Sequence, residues 1–180
     1  MRLKLYILLI TLMSAVCTYA QETRGLTMSR SEKIVLGQAY PDITVKDINQ
    51  NDISISSFAG KFVLVQFWAS WCKPSRVDNS TLVNIYTQYK DRNFDGGNGL
   101  EIYSISLDDN SNNWRKAITE DNVARWYQVS ELTGVNSDAA RQYNVTAIPA
   151  NFLIDGSGKI IAKQFKISEL ADILNTKLQQ

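Results

Sequence analysis

Cys72 and Ser75, framed as Trp71-Cys72-Lys73-Pro74-Ser75, carry whatever sulfur chemistry this chain performs. The run before them, Phe62 to Trp68, reads as a strand that is apolar on both faces. The run after them, about Ser75 to Lys90, reads as an amphipathic helix. Two cysteines three residues apart at a strand-to-helix junction would make a dithiol redox pair. Here the second is a serine, whose oxygen forms no disulfide. Any thiol exchange therefore runs through Cys72 alone.

At the start of that helix, unpaired backbone N–H groups and the helix dipole favour an anion. Lys73 adds a positive charge, so the Cys72 thiol is expected to ionise readily. The competing reading is an inert cysteine that packs as a small hydrophobe. Ser75 is expected to donate a hydrogen bond to a Cys72 thiolate, but it cannot resolve a mixed disulfide. A well-placed intramolecular group acts at an effective molarity of ~10⁵–10⁸ M, far above any dissolved thiol. A Cys72–substrate disulfide should therefore persist until an external thiol attacks it. Disulfide isomerisation, thiol capping or deglutathionylation suits such a site better than fast reduction. Trp71 and Pro74 are expected to line a substrate surface, and Trp68 to be core.

The chain has 180 residues, 44% hydrophobic and 21% charged, with a formal net charge of +1 and no histidine. That length suits one domain of ordinary size. The missing histidine excludes His-based acid–base catalysis, a Cys–His nucleophile pair and His-ligated metals. One usable cysteine makes a structural zinc site untenable, and no cofactor is implied. Arg2 and Lys4, the apolar run Leu5 to Val16, and Thr18-Tyr19-Ala20 have the order of a secretory signal cleaved after Ala20. The apolar run is short for a bilayer, which takes about 20 residues, so no stable membrane insertion is expected after cleavage. Cys17 offers a lipid-anchored N-terminus instead, but Ser14-Ala15-Val16 lacks the residues a lipobox needs. The expected product is an exported, periplasmic protein with one thiol. Its near-neutral charge gives no reason to expect a nucleic-acid partner.

Residues 21–33 are polar and unpatterned and read as a flexible tail before a domain over 34–180. Ile43-Thr44-Val45 and Ile53-Ser54-Ile55 flank a turn-like Asn49-Gln50-Asn51-Asp52, which predicts a hairpin. The strand at 62–68 is predicted to hold a central parallel position covered by helices, with the helix after it burying Val77, Leu82, Ile85 and Tyr89. A strand at 102–107, helices near 113–120 and 137–143, and strands at 151–155 and 159–162 around Gly156-Ser157-Gly158 follow. A closing helix over 167–178 presents Leu170, Ile173, Leu174 and Leu178 on one face. This order predicts an α/β sandwich on a mixed sheet.

Gly37-Gln38-Ala39-Tyr40-Pro41-Asp42, Gly60-Lys61, Phe67 to Pro74, Ile148-Pro149, Phe152 to Asp155 and Gly158-Lys159 stand in an order and spacing that resemble the thioredoxin-like superfamily. The nearest likeness is to exported redoxins of the ResA/TlpA type, over residues 34–178. The resemblance implies a thioredoxin fold with an added N-terminal β-hairpin, and exchange with protein or low-molecular-weight thiols and disulfides. It implies that Pro149 is a cis-proline beside the reactive sulfur, and that the Ile148 backbone pairs with an extended substrate. Asp78 falls where these redoxins carry a proton-handling glutamate, and its negative charge would oppose the helix end and Lys73. Gln66 replaces the buried aspartate of classical thioredoxin. A peroxidase site is a weaker match, since its Thr-x-x-Cys pattern meets Ala69 here. The resemblance thus implies catalytic Cys72, Ser75 and Asp78, and substrate contacts from Trp71, Lys73, Pro74, Ile148 and Pro149. Ser75 breaks the two-thiol pattern, which also opens a second reading, a redox-inactive binding or chaperone-like module that keeps the peptide groove.

Overall fold

In the computed structural model, which describes residues 34–179, Thr44–Lys46 (β1) and Asp52–Ser54 (β2) pair as an antiparallel hairpin. Asp47 ties its turn: Oδ1 accepts from the Asn49 and Asn51 backbone N–H groups at 2.8 Å each. A 3₁₀ turn over Ile55–Phe58 leads into Phe62–Trp68 (β3) and then Lys73–Tyr89 (α1). A two-residue ribbon, Asn93–Phe94 (β4) with Gly97–Asn98 (β5), precedes Leu100–Ser106 (β6) and Ser111–Glu120 (α2). Tyr127–Ser130 (β7), Asp138–Gln142 (α3), Ala150–Ile154 (β8), Ile160–Lys163 (β9) and Ile167–Asn175 (α4) complete the order. The signal segment, the tail and Cys17 lie outside the described residues. Among those residues no helix is long and apolar enough to cross a membrane.

The main sheet runs β7-β6-β3-β8-β9. β3 is parallel to β6 and β6 to β7, whereas β8 runs antiparallel to both of its neighbours, β3 and β9. A strand in this central position has both faces covered, which is why β3 is apolar throughout except at Gln66. Successive side chains alternate between two cores. Val63, Val65 and Phe67 join Ile43, Phe58, Tyr143 and Phe152 on one face. Phe62, Leu64 and Trp68 meet Leu82, Ile85, Tyr89, Leu170 and Leu174 on the other. Neither sheet edge is left open. Asp47 bridges Val129 on β7, and residues before β1 lie along β9 through Gly37 N–H to the Ile160 carbonyl at 2.8 Å and Ile160 N–H to the Gln38 carbonyl at 2.9 Å.

The structure differs from the sequence expectation at α1, β7, the β4–β5 ribbon and α4. Val77 is 67% exposed rather than buried, because the inward stripe of α1 is Ser75, Asn79, Leu82, Ile85 and Tyr89. β7 and the β4–β5 ribbon were not foreseen. β7 alternates as Tyr-Gln-Val-Ser over four residues and is defined by pairing with β6 rather than by its own pattern. α4 stops at Asn175, short of Leu178, whose neighbour in the fold is Phe94.

Leu64 is wholly enclosed on the helical face of β3. Leu64→Ala is expected to lower unfolding free energy by about 2–5 kcal/mol, read as a reduced urea midpoint with an unchanged m-value.

Candidate functional site

β3 ends at Trp68, and the chain turns through Ala69-Ser70-Trp71 to place Cys72 as the N-cap of α1. Cys72 N–H donates to the Ala69 carbonyl at 3.0 Å, which closes the turn, and Arg76 N–H donates to the Cys72 carbonyl at 3.1 Å as the helix begins. Pro74 sits in the first helical turn, where its missing N–H costs nothing. The thiol points to the segment before β8: Sγ lies 3.7 Å from the Ile148 carbonyl oxygen, a weak S–H contact. The Ile148–Pro149 peptide bond is cis. Residues 76 positions apart in sequence thus meet at one sulfur.

Cys72 retains only 8% of its surface, whereas Trp71 beside it is 60% exposed. Lys73 and Pro74 are exposed on the same turn. Ser75 does not behave as expected. It is fully enclosed, and its Oγ has no hydrogen-bond partner, Cys72 included. The reason is its place at the head of the inward stripe of α1, which keeps the hydroxyl out of solvent. Asp78 is half-buried, and desolvation pushes its carboxyl up from the usual value.

A set of polar residues that sequence reasoning missed fixes this junction. Asp108, 2% exposed just beyond β6, accepts from Ser70 N–H at 2.9 Å, from Ser70 Oγ at 2.5 Å and from Ser106 Oγ at 2.6 Å. Arg76 donates to the Ser70 carbonyl at 3.2 Å, to Glu120 at 3.0 Å and to Asp121. Hydrogen bonding to Asp121 is the main reason its guanidinium is held above its usual pKa. Two carboxylates therefore match the Arg76 charge, which leaves Lys73 as the cation of the first turn. Asp121 also accepts from Asn79 Nδ2 at 2.8 Å; Asn79 Oδ1 accepts from Gln66 at 3.1 Å, and Gln66 accepts from Ser104 Oγ at 2.7 Å. Trp126 Nε1 closes the chain on Ser104 at 2.9 Å. The one available signal was an acid directly after a buried strand, Leu107-Asp108. Burial at a strand end demands that such an acid find donors.

A cavity of about 540 Å³ opens beside the sulfur's surroundings, with Pro74, Val77 and Asp78 of α1 on one wall and Thr146, Ala147 and Pro149 to Phe152 on another. Gln164, Lys166 and Ser168 complete it. The structure thus brings Cys72, Trp71, Lys73, Pro74, Ile148, Pro149 and Asp78 to one region and turns Ser75 away from solvent. Among the described residues no group of three or more His, Cys, Asp or Glu is placed to hold a metal.

Asp108→Ala strands the Ser70 and Ser106 donors, and it is expected to cost about 2–4 kcal/mol in urea unfolding. Asp78 tests the pH dependence. Its raised folded value means that neutral Asp78 fits the fold better than the carboxylate does. That contribution is complete below the ordinary value of 3.8 and is lost as pH rises through the folded value. Asp78→Asn should therefore stabilise the protein at neutral pH and make no difference at the acid end of a denaturation series.

Residues 36–163 match the AhpC/TSA family. The thiol-disulfide oxidoreductase ResA of Bacillus cereus is 28% identical over 135 residues, which are 74% of this chain and 71% of that protein. Among solved structures, the thioredoxin domain of a thiol-disulfide oxidoreductase from Bacteroides vulgatus superposes with a TM-score of 0.68 at 31% identity, covering 79% of this chain and all of that one. A thiol-disulfide oxidoreductase from Bacteroides fragilis superposes at 0.69 with 30% identity, over 77% of this chain and 98% of that one. The fold is thioredoxin-like, and by the extent of these matches the chain belongs to the AhpC/TSA family.

Proposed function

We propose that this protein exchanges thiols and disulfides through Cys72 alone, after export behind a cleaved leader over residues 1–20. The observation that carries the reading is the sulfur's position, capping α1 and 3.7 Å from the Ile148 carbonyl, while the residue three positions on is a serine. The similarity to thiol-disulfide oxidoreductases supports the same reaction class. In the forward step the Cys72 thiolate attacks one sulfur of a protein or small disulfide. A Cys72–S–S–R bond forms and the other half leaves as a thiolate. Trp71, Lys73 and Pro74 provide the exposed rim on which a substrate rests, and the Ile148–Pro149 segment its inner side. Asp78, half-buried on the wall of the adjoining cavity with its carboxyl pushed up by burial, is the titratable group assigned to handle protons beside the exchange. Ser75 has no sulfur with which to break the mixed disulfide. An external thiol reductant completes the cycle, and the intermediate is long-lived.

The 8% exposure of Cys72 favours a second reading, a binding module in which the thiol is only packing and the Trp71 rim is retained. Two measurements separate these. Iodoacetamide at neutral pH is expected to label Cys72 in the folded protein, with mixed-disulfide partners captured on the native chain and absent from Cys72→Ala. A folded protein whose Cys72 stays unlabelled, with partners bound equally by Cys72→Ala, supports the binding module instead. Ser75→Cys supplies the missing thiol at high effective molarity, and insulin reduction is expected to rise about tenfold or more over the native chain.

A further inference from the structure

Resting on the one-thiol reading, we infer that the cavity beside Pro74 and Pro149 binds the amino-acid portion of a low-molecular-weight thiol, the co-substrate that releases Cys72 from its mixed disulfide. Three observations converge on this. The cavity, at about 540 Å³, falls within the ~300–1,000 Å³ span of small-ligand sites, and it is half-open, so a ligand can come and go. Asn151 of β8 lines it while only 2% exposed. Its Nδ2 donates to the Phe165 carbonyl at 3.1 Å, and its Oδ1 has no partner in the protein. An enclosed carbonyl oxygen without a donor is costly, and an N–H brought to it by a ligand entering the cavity would offset that cost. Lys166 lines the same cavity, is exposed, and forms no ion pair with any described residue. It is also the N-cap of the nine-residue α4, whose first N–H groups and dipole add to its positive field. Glu169 on that turn does not line the cavity.

A wall that accepts an N–H and a wall that attracts an anion together describe an amine or amide close to a carboxylate, as in cysteine or a cysteine-containing peptide. Pro74 lies two residues beyond Cys72, and Pro149 directly follows the Ile148 carbonyl that faces Sγ, so the cavity opens beside the sulfur. A thiol held there is placed for the one step the chain cannot perform itself. Its thiolate R′S⁻ attacks the substrate sulfur of Cys72–S–S–R. The old S–S bond breaks, R–S–S–R′ forms, and the proton given up by R′SH returns to Cys72. No other oxidant or reductant is required.

The test loads Cys72 with a methylthio group, whose thiol is a poor leaving group, and follows by intact mass the return of the free Cys72 thiol on adding excess reduced glutathione, cysteine or 2-mercaptoethanol, each rate being normalised to its thiolate concentration. Glutathione and cysteine are expected to act about tenfold faster than 2-mercaptoethanol, which lacks both the amine and the carboxylate. Lys166→Ala should cut that preference about fivefold and Lys166→Arg should keep it, while S-methylglutathione, which has no thiol, should slow the glutathione reaction competitively. Equal normalised rates for all three thiols, or a preference untouched by Lys166→Ala, overturns the inference and leaves one-thiol exchange intact. That outcome would return the cavity to a protein substrate. A folded native chain that takes no label at Cys72 overturns the exchange reading together with this one.

Discussion

Two hydrogen bonds from Ser70 to Asp108, one from the backbone N–H at 2.9 Å and one from the hydroxyl at 2.5 Å, fasten the β3–α1 turn to the end of β6. Ser106 supplies a third donor to the same carboxyl group, so an acid that would be costly to bury finds its oxygens occupied. The turn carries Cys72, and its backbone has little room for an alternative path. One side is held by the Leu107 N–H bonded to the Trp68 carbonyl at 2.8 Å, the other by the start of α1. Where the sulfur sits is therefore a consequence of how β6 ends. Nothing in the Cys72 side chain itself sets it.

α1 is located by a second group of polar contacts on the opposite side of the same turn. Gln66 is the sole polar residue of β3, and it faces the helix rather than solvent. There its amide meets Asn79 and, through Ser104, Trp126. Hydrophobic packing of Leu82, Ile85 and Tyr89 holds the helix against the sheet, but apolar contact is tolerant of small slides. Directional bonds at Gln66–Asn79–Asp121 are less forgiving and fix the helix along its axis. Arg76 joins the two groups by reaching from Asp121 to the Ser70 carbonyl, so the turn and the first helical turn move as one piece.

This rigidity has a chemical consequence for a site with one sulfur. The helix start and the Ile148 carbonyl are fixed on either side of Cys72, which is buried. An attacking group must come along the Trp71 rim or from the cavity beside Pro149. A second cysteine at position 75 would reach the sulfur from within the protein, without crossing that rim. With serine there, its hydroxyl enclosed, the proposed one-thiol exchange depends on access from outside. The surroundings of Cys72 accordingly matter more here than they would in a two-thiol protein.

Much of the fold was legible because its signals are local. The apolar run Phe62–Trp68, the turn around Asn49–Asp52, the glycines of 156–158 and the leucines of the last helix each declare an element without reference to the rest of the chain. β7 did not declare itself, since Tyr127–Ser130 becomes a strand by pairing with β6. Val77 misled because spacing by three or four marks a stripe but does not say which of two adjacent stripes turns inward. At the site, the sequence by itself determined that one thiol stands at a strand-to-helix junction with serine in place of a cysteine three positions on, for that follows from residue identity and order. Only the tertiary structure decided that Ser75 is enclosed, that Asp108 and Arg76 hold the turn, and that Asn151 and Lys166 share a cavity. Those facts depend on distances between residues far apart in the chain, and such distances exist only once the strands have packed.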